Sequence, residues 1–479
     1  LKFVKKSAFA LALLFVLLLP LQAAAGSTAK IYGDDSVAHR VTAVIYCLSD
    51  DYNRLSPEVR TFSVLCGQSL AEALTDQVLR DAEKKDNISA LPVRSDLKLL
   101  SAVITGNIAT VNLGGDKELL ENYELFCLKA AITNTLIEAG EANYVNVLLN
   151  GREVTTNGLP TGTMTHFDED LQSAWIAHEN EGDAALRSQS YSFTRFVTLY
   201  FAAQNDSLVL AEVRRITMNR TNLAIPVISA VLAGPNDSAT MTRTYPSASK
   251  VLGVPDRDEE DERIIDINLS YQMSLIASGT PEERRLCLAP LVLTLTTFLP
   301  DLSALRLHVN GRLVQPLYNR GEINDYLLYG SEFQGMIGTT VSLYYPVGDG
   351  RQVQVTQAVS QQKKTLRDLI EELMAVPSDM DVQPVFPDGF SSAHIIGIFQ
   401  TDDTAVVNLT QEGASLLRQM SDDRVRDCIY CIVNTLTDVH GISRVQFLTE
   451  GNRINERFGD ISLGNPLVRS SGVIRILPD

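Results

Sequence analysis

The sequence predicts an α+β protein of three tandem small domains, each a mixed β-sheet with helices packed on one face. Three observations predict it. A strand, helix and strand recur in the same order three times. Ala109-Thr-Val-Asn-Leu113 leads to Ile132-Thr-Asn-Thr-Leu136 and then Tyr144 to Asn150-Gly151. Ile264 to Asn268-Leu269 leads to Leu291-Val-Leu-Thr-Leu295 and then Leu305 to Asn310-Gly311. Ala405-Val-Val-Asn408-Leu409 leads to Cys428 to Leu436 and then Arg444 to Glu450-Gly451. Ahead of each copy stand two strand-like runs and an apolar helical stretch. Finally, a length of 479 residues is too long for one core and fits about three domains.

The first copy opens with Val41 to Leu48, rich in β-branched residues, and its partner Glu58 to Val64 alternates apolar with polar. Leu70, Leu74 and Val78 recur at helical spacing. Pro92 begins an extended segment, and Leu97 to Ile104 with Ile108 to Leu113 makes a hairpin around Thr105-Gly-Asn107. A helix over about 119–139 stops at Gly140, and the strand 144–149 ends in the turn pair Asn150-Gly151. In the second copy, 196–201 and 208–216 are the strands and Ile225 to Leu232 the helix, stopped by Gly234-Pro235. Pro246 matches Pro92, and Asp256 to Glu262 reads as an enlarged acidic hairpin tip. Pro281-Glu-Glu reads as the first turn of the next helix, with Pro290 expected to kink it. The third copy runs from Val341 through a helix at 366–374, then Pro387, a hairpin at 395–409, a polar gap and the helix through Leu436. Residues 471–477 offer a last β-like segment.

The expected boundaries are a signal peptide at 1–25, repeats at 40–155, 191–325 and 338–460, a linker at 156–190 and a tail at 461–479. Lys2, Lys5 and Lys6 precede an apolar run from Ala8 to Leu19. Small residues Ala23 to Ala25 then place a cleavage point between Ala25 and Gly26. An uncleaved anchor is the competing reading, but the run is short of the ~20 residues a spanning helix needs. The mature chain is therefore expected outside the cytoplasm. Trp175, the sole Trp, is expected to dock from the linker onto a neighbouring domain.

A net charge of −17 repels phosphates, so a nucleic-acid partner is not expected. No two of the histidines His39, His166, His178, His308, His394 and His440 have zinc-ligand spacing, and no metal, cofactor or catalytic residue is expected. Cys428-Ile-Tyr-Cys431 lies in an apolar helix and reads as core rather than redox motif; Leu128 and Ala131, and Leu288 and Leu291, are aligned with it. Cys47 and Cys66 lie on adjacent strands and could pair. The acidic run lacks the spacing and Gly of a calcium loop and reads as solvated. Asn112, Asn268 and Asn408, with Gly151, Gly311 and Gly451, form a repeat signature expected to serve a turn or a helix cap. Thr294 is aligned with Asn134 and Asn434, so no polar pair common to the three copies is expected in that helix.

The run Val231-Leu-Ala-Gly-Pro235, the Pro before each hairpin, the Val-Asn-Leu strand end, Ile432-Val-Asn-Thr-Leu436 and Val445 to Gly451 together resemble the GerMN domain. This domain belongs to sporulation and spore-germination proteins of endospore-forming bacteria. The resemblance covers about 41–454. It implies a non-enzymatic extracytoplasmic module that assembles envelope complexes, with envelope or forespore-membrane proteins as partners. Family members are often lipoproteins; this chain has no cysteine at its expected cleavage point. The alternative is a peptidoglycan- or glycan-binding module, for which Trp175, Tyr344 and Tyr345 are the aromatic candidates.

Overall fold

The computed structural model describes residues 39–48, 53–65, 68–83, 97–115, 122–156, 159–168, 170–204, 207–253, 255–258, 261, 263–270, 280–314, 326–361, 365–377, 380–439 and 441–475. The predicted signal peptide with Ala25 and Gly26, Cys66 and hence its pairing with Cys47, Pro92 and His440 lie outside them. Among the described residues no helix is long and apolar enough to cross a membrane.

The first repeat opens with the antiparallel hairpin β1 (His39–Leu48) and β2 (Leu55–Val64). Its alternation buries Ile45, Cys47, Phe62 and Val64 on one face. Helix α1 (Leu70–Glu83) starts in a reciprocal cap: Ser69 Oγ accepts from Glu72 N at 3.1 Å, and Glu72 accepts from Ser69 N at 2.8 Å. β3 (Lys98–Thr105) and β4 (Ile108–Gly114) form the second hairpin, bulged between Leu99 and Ser101. Helix α2 (Asn122–Glu138) then crosses over to β5 (Tyr144–Leu149), which pairs parallel with β4 from Ile108↔Tyr144 to Leu113↔Leu149. The strands of each repeat thus divide between a hairpin ribbon and a mixed sheet.

The predicted linker holds an unforeseen helix, α3 (Leu171–Arg187), capped by Asp170 through Ser173 N at 2.8 Å. Its acids and amides hid a pattern that buries only Leu171, Ala174, Gly182 and Ala185. Trp175 is half-buried, its ring 5.8 Å from both Tyr123 and Phe126, so it docks on the first repeat.

The second repeat comprises β6 (Ser192–Ala203), β7 (Val209–Asn219), α4 (Ala224–Leu232), β8 (Ile264–Leu269), α5 (Pro281–Phe298) and β9 (Ala304–Val309). Its first mixed-sheet strand is reduced to Asp256–Arg257, so part of the expected acidic tip is strand. Thr280 and Glu283 close a capping box ahead of Pro281, and α5 remains helical through Pro290. Residues 288–298 of α5 are buried without interruption, as in a helix covered on all sides.

The third repeat comprises β10 (Gly338–Pro346), β11 (Gln352–Ser360), α6 (Leu366–Met374), β12 (Ile395–Thr401), β13 (Thr404–Leu409), α7 (Gln411–Arg418), α8 (Asp422–Leu436) and β14 (Arg444–Thr449). The polar gap after β13 therefore contains α7, whose core contribution is only Gly413, Ala414 and Leu417. β13 and β14 pair parallel from Thr404↔Arg444 to Leu409↔Thr449, as β8 and β9 do from Ile264↔Ala304 to Leu269↔Val309.

The repeats are joined by direct contacts. Thr163 N donates to Phe196 O at 2.9 Å, and the Thr163 and Thr198 hydroxyls bond at 2.8 Å. Thr105 Oγ1 donates to Gly338 O at 2.9 Å. Ile108 of β4 belongs to the apolar core of the second repeat. A Cβ on Gly162, at φ +76°, would lie 2.7 Å from Phe196 O, so the first joint requires glycine there.

Candidate functional site

The repeat signature is a turn clasp, repeated three times. Asn150-Gly151, Asn310-Gly311 and Glu450-Gly451 each take two positive φ values, 52° and 77°, 50° and 78°, and 49° and 76°. That is the two-residue turn whose twist suits a hairpin. Such a turn leaves N–H groups needing acceptors, and the neighbouring parallel strand supplies them. Asn112 Oδ1 accepts from Gly151 N at 2.7 Å, Asn268 Oδ1 from Gly311 N at 2.9 Å and Asn408 Oδ1 from Gly451 N at 2.9 Å. The preceding N–H donates to Leu113 O, Leu269 O and Leu409 O at 2.7, 2.8 and 2.9 Å. The asparagines serve the turn, and the helix-cap alternative falls away.

A second common bond ties each crossover helix to its hairpin. Thr135 Oγ1 accepts from Tyr46 N at 2.9 Å, Thr294 Oγ1 from Tyr200 N at 3.0 Å and Thr435 Oγ1 from Tyr344 N at 3.2 Å. This corrects the sequence alignment of the second repeat by one residue. Thr294 stands with Thr135 and Thr435, and Leu293 takes the asparagine place. Cys287 and Pro290, rather than Leu288 and Leu291, then match Cys428 and Cys431. The Thr-Leu pair common to 135–136, 294–295 and 435–436 carries the same register in the sequence.

Each repeat is also closed by a strap, of which the sequence reading placed only the last stretch of the third, in the β-like run 471–477. Met164 bridges Val145, Leu328 and Tyr329 pair with Leu305 and Ala304, and Leu467 and Val468 pair with Val445 and Arg444. In the first and third repeats the helix asparagine then grips the strap. Asn134 Oδ1 accepts from Phe167 N at 2.7 Å, and Asn434 Oδ1 from Ser470 N at 2.9 Å. The strap finally reaches the start of the second ribbon strand, in the third repeat through the expected β-like segment 471–477. Leu171 N donates to Asn53 O at 2.8 Å, Ile337 bridges Val209, and Ile474 and Arg475 pair with Gln352 and Val353. The strap residues fall in the predicted linker, between predicted repeats and in the predicted tail. Their signal was a few apolar residues, with Met164, Leu328 and Leu467 the equivalent ones, at differing distances beyond each turn.

The groups with possible chemistry are engaged in structure. Cys428 and Cys431 are free thiols buried in α8, and burial pushes the Cys428 thiol up to about 12 and Cys431 well above its ordinary value. Of the histidines, His308 Nε2 lies 2.9 Å from Asp266 and His166 Nδ1 2.8 Å from Asp168, while burial and Arg195 hold His178 below its usual range. Among the described residues no cluster could hold a metal ion. In the acidic run, Asp258 pairs with Arg306 and Asp261 with Arg263, which supports neither a free solvated tip nor a cation loop at those positions. Tyr344 and Tyr345, two of the three aromatics that could have formed a glycan platform, are fully buried. A strand alternating about a solvent face would expose one of the two. Here Tyr344 lies under Arg469, whose guanidinium carbon is 5.0 Å from the ring centroid, and the Tyr345 hydroxyl donates to Ala375 O at 2.8 Å.

One cavity of about 270 Å³ lies where the open sheet face of the first repeat meets α5. The first repeat contributes Asn112 and the turn Asn150-Gly151-Arg152, the second Thr296, Ser303, Tyr329 and Gln334. Arg152 Nη2 donates to Ser303 Oγ at 2.7 Å across the joint. Tyr200 hydrogen-bonds to Thr110 of the first repeat and Thr297 of the second, while burial pushes its phenol up to about 12. Gly330 packs on α5 so closely that a Cβ would fall 2.2 Å from Thr296 Oγ1.

A family model described as Germane, sporulation and spore germination, matches residues 44–155, 198–315 and 342–455. The chain belongs to this Germane family. Among solved structures it is similar to the tandem GerMN domains of the sporulation protein GerM from Bacillus subtilis, at 14% identity over 57% of this chain and 92% of that one, with a TM-score of 0.23. It is similar also to the first GerMN domain of the same protein, at 18% identity over 28% of this chain and 98% of that one, with a TM-score of 0.23. Comparison with curated proteins gave no match. The three Germane segments each contain the asparagine clasp and end before the strap.

Proposed function

We propose that this Germane protein is an exported, non-enzymatic scaffold that contributes to an envelope complex of sporulation or germination. The observation that supports this reading is what the three copies share. Their common polar residues, the Asn–Gly clasp and the Thr–Tyr bond, are engaged in the fold's own hydrogen bonds. Repetition of a module without a repeated reactive constellation suits the presentation of surfaces. The straps and joints hold those surfaces in one body. The β2 side carries apolar residues in water, Val59 at 75% and Leu65 at 57% exposure, on a ribbon of two strands. Such an edge suits pairing with envelope or forespore-membrane proteins. The predicted signal peptide and the charge of −17 favour a site outside the cytoplasm, away from nucleic acid.

A tagged copy followed through a sporulation time course tests the reading. Enrichment at the membranes around the forespore is expected, and crosslinking there would identify partners. Uniform distribution in growing cells, or release into the medium, would overturn the role. The glycan-binding alternative loses Tyr344 and Tyr345 to the core but retains a polar cleft between repeats.

A further inference from the structure

We propose that the cleft between the first and second repeats binds an acidic sugar, a polyhydroxylated ring carrying one carboxylate. This goes beyond the scaffold reading and does not depend on it.

The lining carries the inference. The chain has 58 acidic residues, yet among the described residues none lines this cleft. Among the described residues Arg152 is its only formally charged side chain. Around it stand neutral amides and hydroxyls, including Asn112, Gln334, Ser331 and Thr296. Ligand sites of this kind use a few placed polar groups to fix orientation. Amides and hydroxyls that both donate and accept match the hydroxyls of a sugar. A guanidinium has five N–H donors, and the bond to Ser303 uses one of them. The remaining face suits a planar carboxylate. The half-buried Tyr329 adds an aromatic wall.

The geometry is held from both sides. The clasp of Asn112 on Gly151 fixes the turn that carries Arg152, and Asn112 itself lines the cleft. A Cβ on Gly151 would lie 3.4 Å from Gln334 Nε2, so the amide of the second repeat sits directly over the turn of the first. A volume of about 270 Å³ is at the small end of ligand pockets, which run ~300–1,000 Å³. It suits one ring rather than a length of polymer. Repeat three lacks these groups at its own turn, where Glu450 precedes Gly451 and would repel a carboxylate.

Calorimetric titration of the full chain with N-acetylmuramic acid, glucuronic acid, N-acetylglucosamine and acetate tests the proposal. One or both acidic sugars should bind, and roughly tenfold more tightly than N-acetylglucosamine or acetate. The tighter of the two identifies a peptidoglycan or another acidic glycan as the source. Arg152→Gln should weaken the acidic sugar about tenfold and abolish its advantage over the neutral one. Gln334→Ala, which leaves the Arg152–Ser303 bond in place, should weaken both sugars with an unchanged thermal midpoint. Absence of heat with both acidic sugars overturns the proposal, as does acetate binding equally well. Affinity unchanged in both variants also overturns it.

Discussion

Replacing Asn408 by Ala should loosen the third repeat at one identifiable amide. Asn408 is fully buried, and its side chain accepts the Gly451 N–H at 2.9 Å. Gly451 sits at φ +76° in a two-residue turn, so the strand cannot rotate that N–H towards another acceptor without opening the hairpin. A buried donor left unsatisfied costs about 1–3 kcal/mol, and the lost side chain leaves a small void in addition. A local loss of about 2–3 kcal/mol raises amide exchange roughly 30- to 150-fold, since about 1.4 kcal/mol is tenfold. The three copies supply an internal comparison. Asn112 and Asn268 are only half-buried, and the Asn268 clasp is open to solvent, where water can replace the lost acceptor. Asn112→Ala should therefore cost less than Asn408→Ala, and Asn268→Ala least, below about 1 kcal/mol. Hydrogen exchange of peptides spanning Gly151, Gly311 and Gly451 measures all three in the intact chain. Equal changes in the three variants, or a change spread over the whole third repeat with none at Gly451, would refute the reasoning.

Two more outcomes follow from buried groups. Lys129 Nζ lies 3.2 Å from Glu153 Oε1 with both side chains sealed from solvent, and Thr161 and Gly162 complete the cage. Lys129→Met or Glu153→Leu alone should destabilise the first repeat by about 3–5 kcal/mol, whereas the double variant should recover most of it, as read from Trp175 fluorescence during urea unfolding. In the third repeat, burial raises the Cys428 thiol to about 12 and Cys431 higher still, so both are protonated in the native state. A raised folded value stabilises fully below the unfolded value and is lost above it. The third repeat should therefore keep its stability up to about pH 8.5 and lose it progressively towards pH 12, and native Cys428 should resist alkylation by iodoacetamide at pH 8.

The sequence reading reached most of the architecture because the elements that bury one face announce it. The strand 144–149 and the helix starts at Pro281 and Leu366 stand where periodicity and capping residues put them. What it missed shares a physical cause. α3 and α7 bury few large apolar side chains, so their faces give a weak period against a polar background. Apart from the β-like run 471–477, the straps pair through two residues or a single bridge, too few for alternation to register. The second-repeat slip set Thr294 against Asn134 and Asn434, although the Thr-Leu pair at 135–136, 294–295 and 435–436 points to the other register. Backbone hydrogen bonds to Thr294 decide it. The cleft was illegible for another reason. Arg152 and Gln334 are separated by a whole repeat, and only the packing of α5 on the first sheet brings them together.

Divergence among the copies separates scaffold from function. A residue kept in all three positions and pointed into a hydrogen bond of the fold answers first to folding, as Asn112, Asn268 and Asn408 do. A binding role must then come from places where the copies differ or where two copies meet. The turn that follows β5 is such a place. The same clasp holds Arg152 after Gly151, Arg312 after Gly311 and Asn452 after Gly451. Arg312 and Asn452 are exposed, whereas Arg152 is half-buried against Ser303 of the next repeat. Identical turns thus present different side chains in different surroundings, and the difference is made by the neighbour rather than by the turn. Tandem repetition gives this fold something a single module lacks, a cleft whose two walls are the same domain used in two ways.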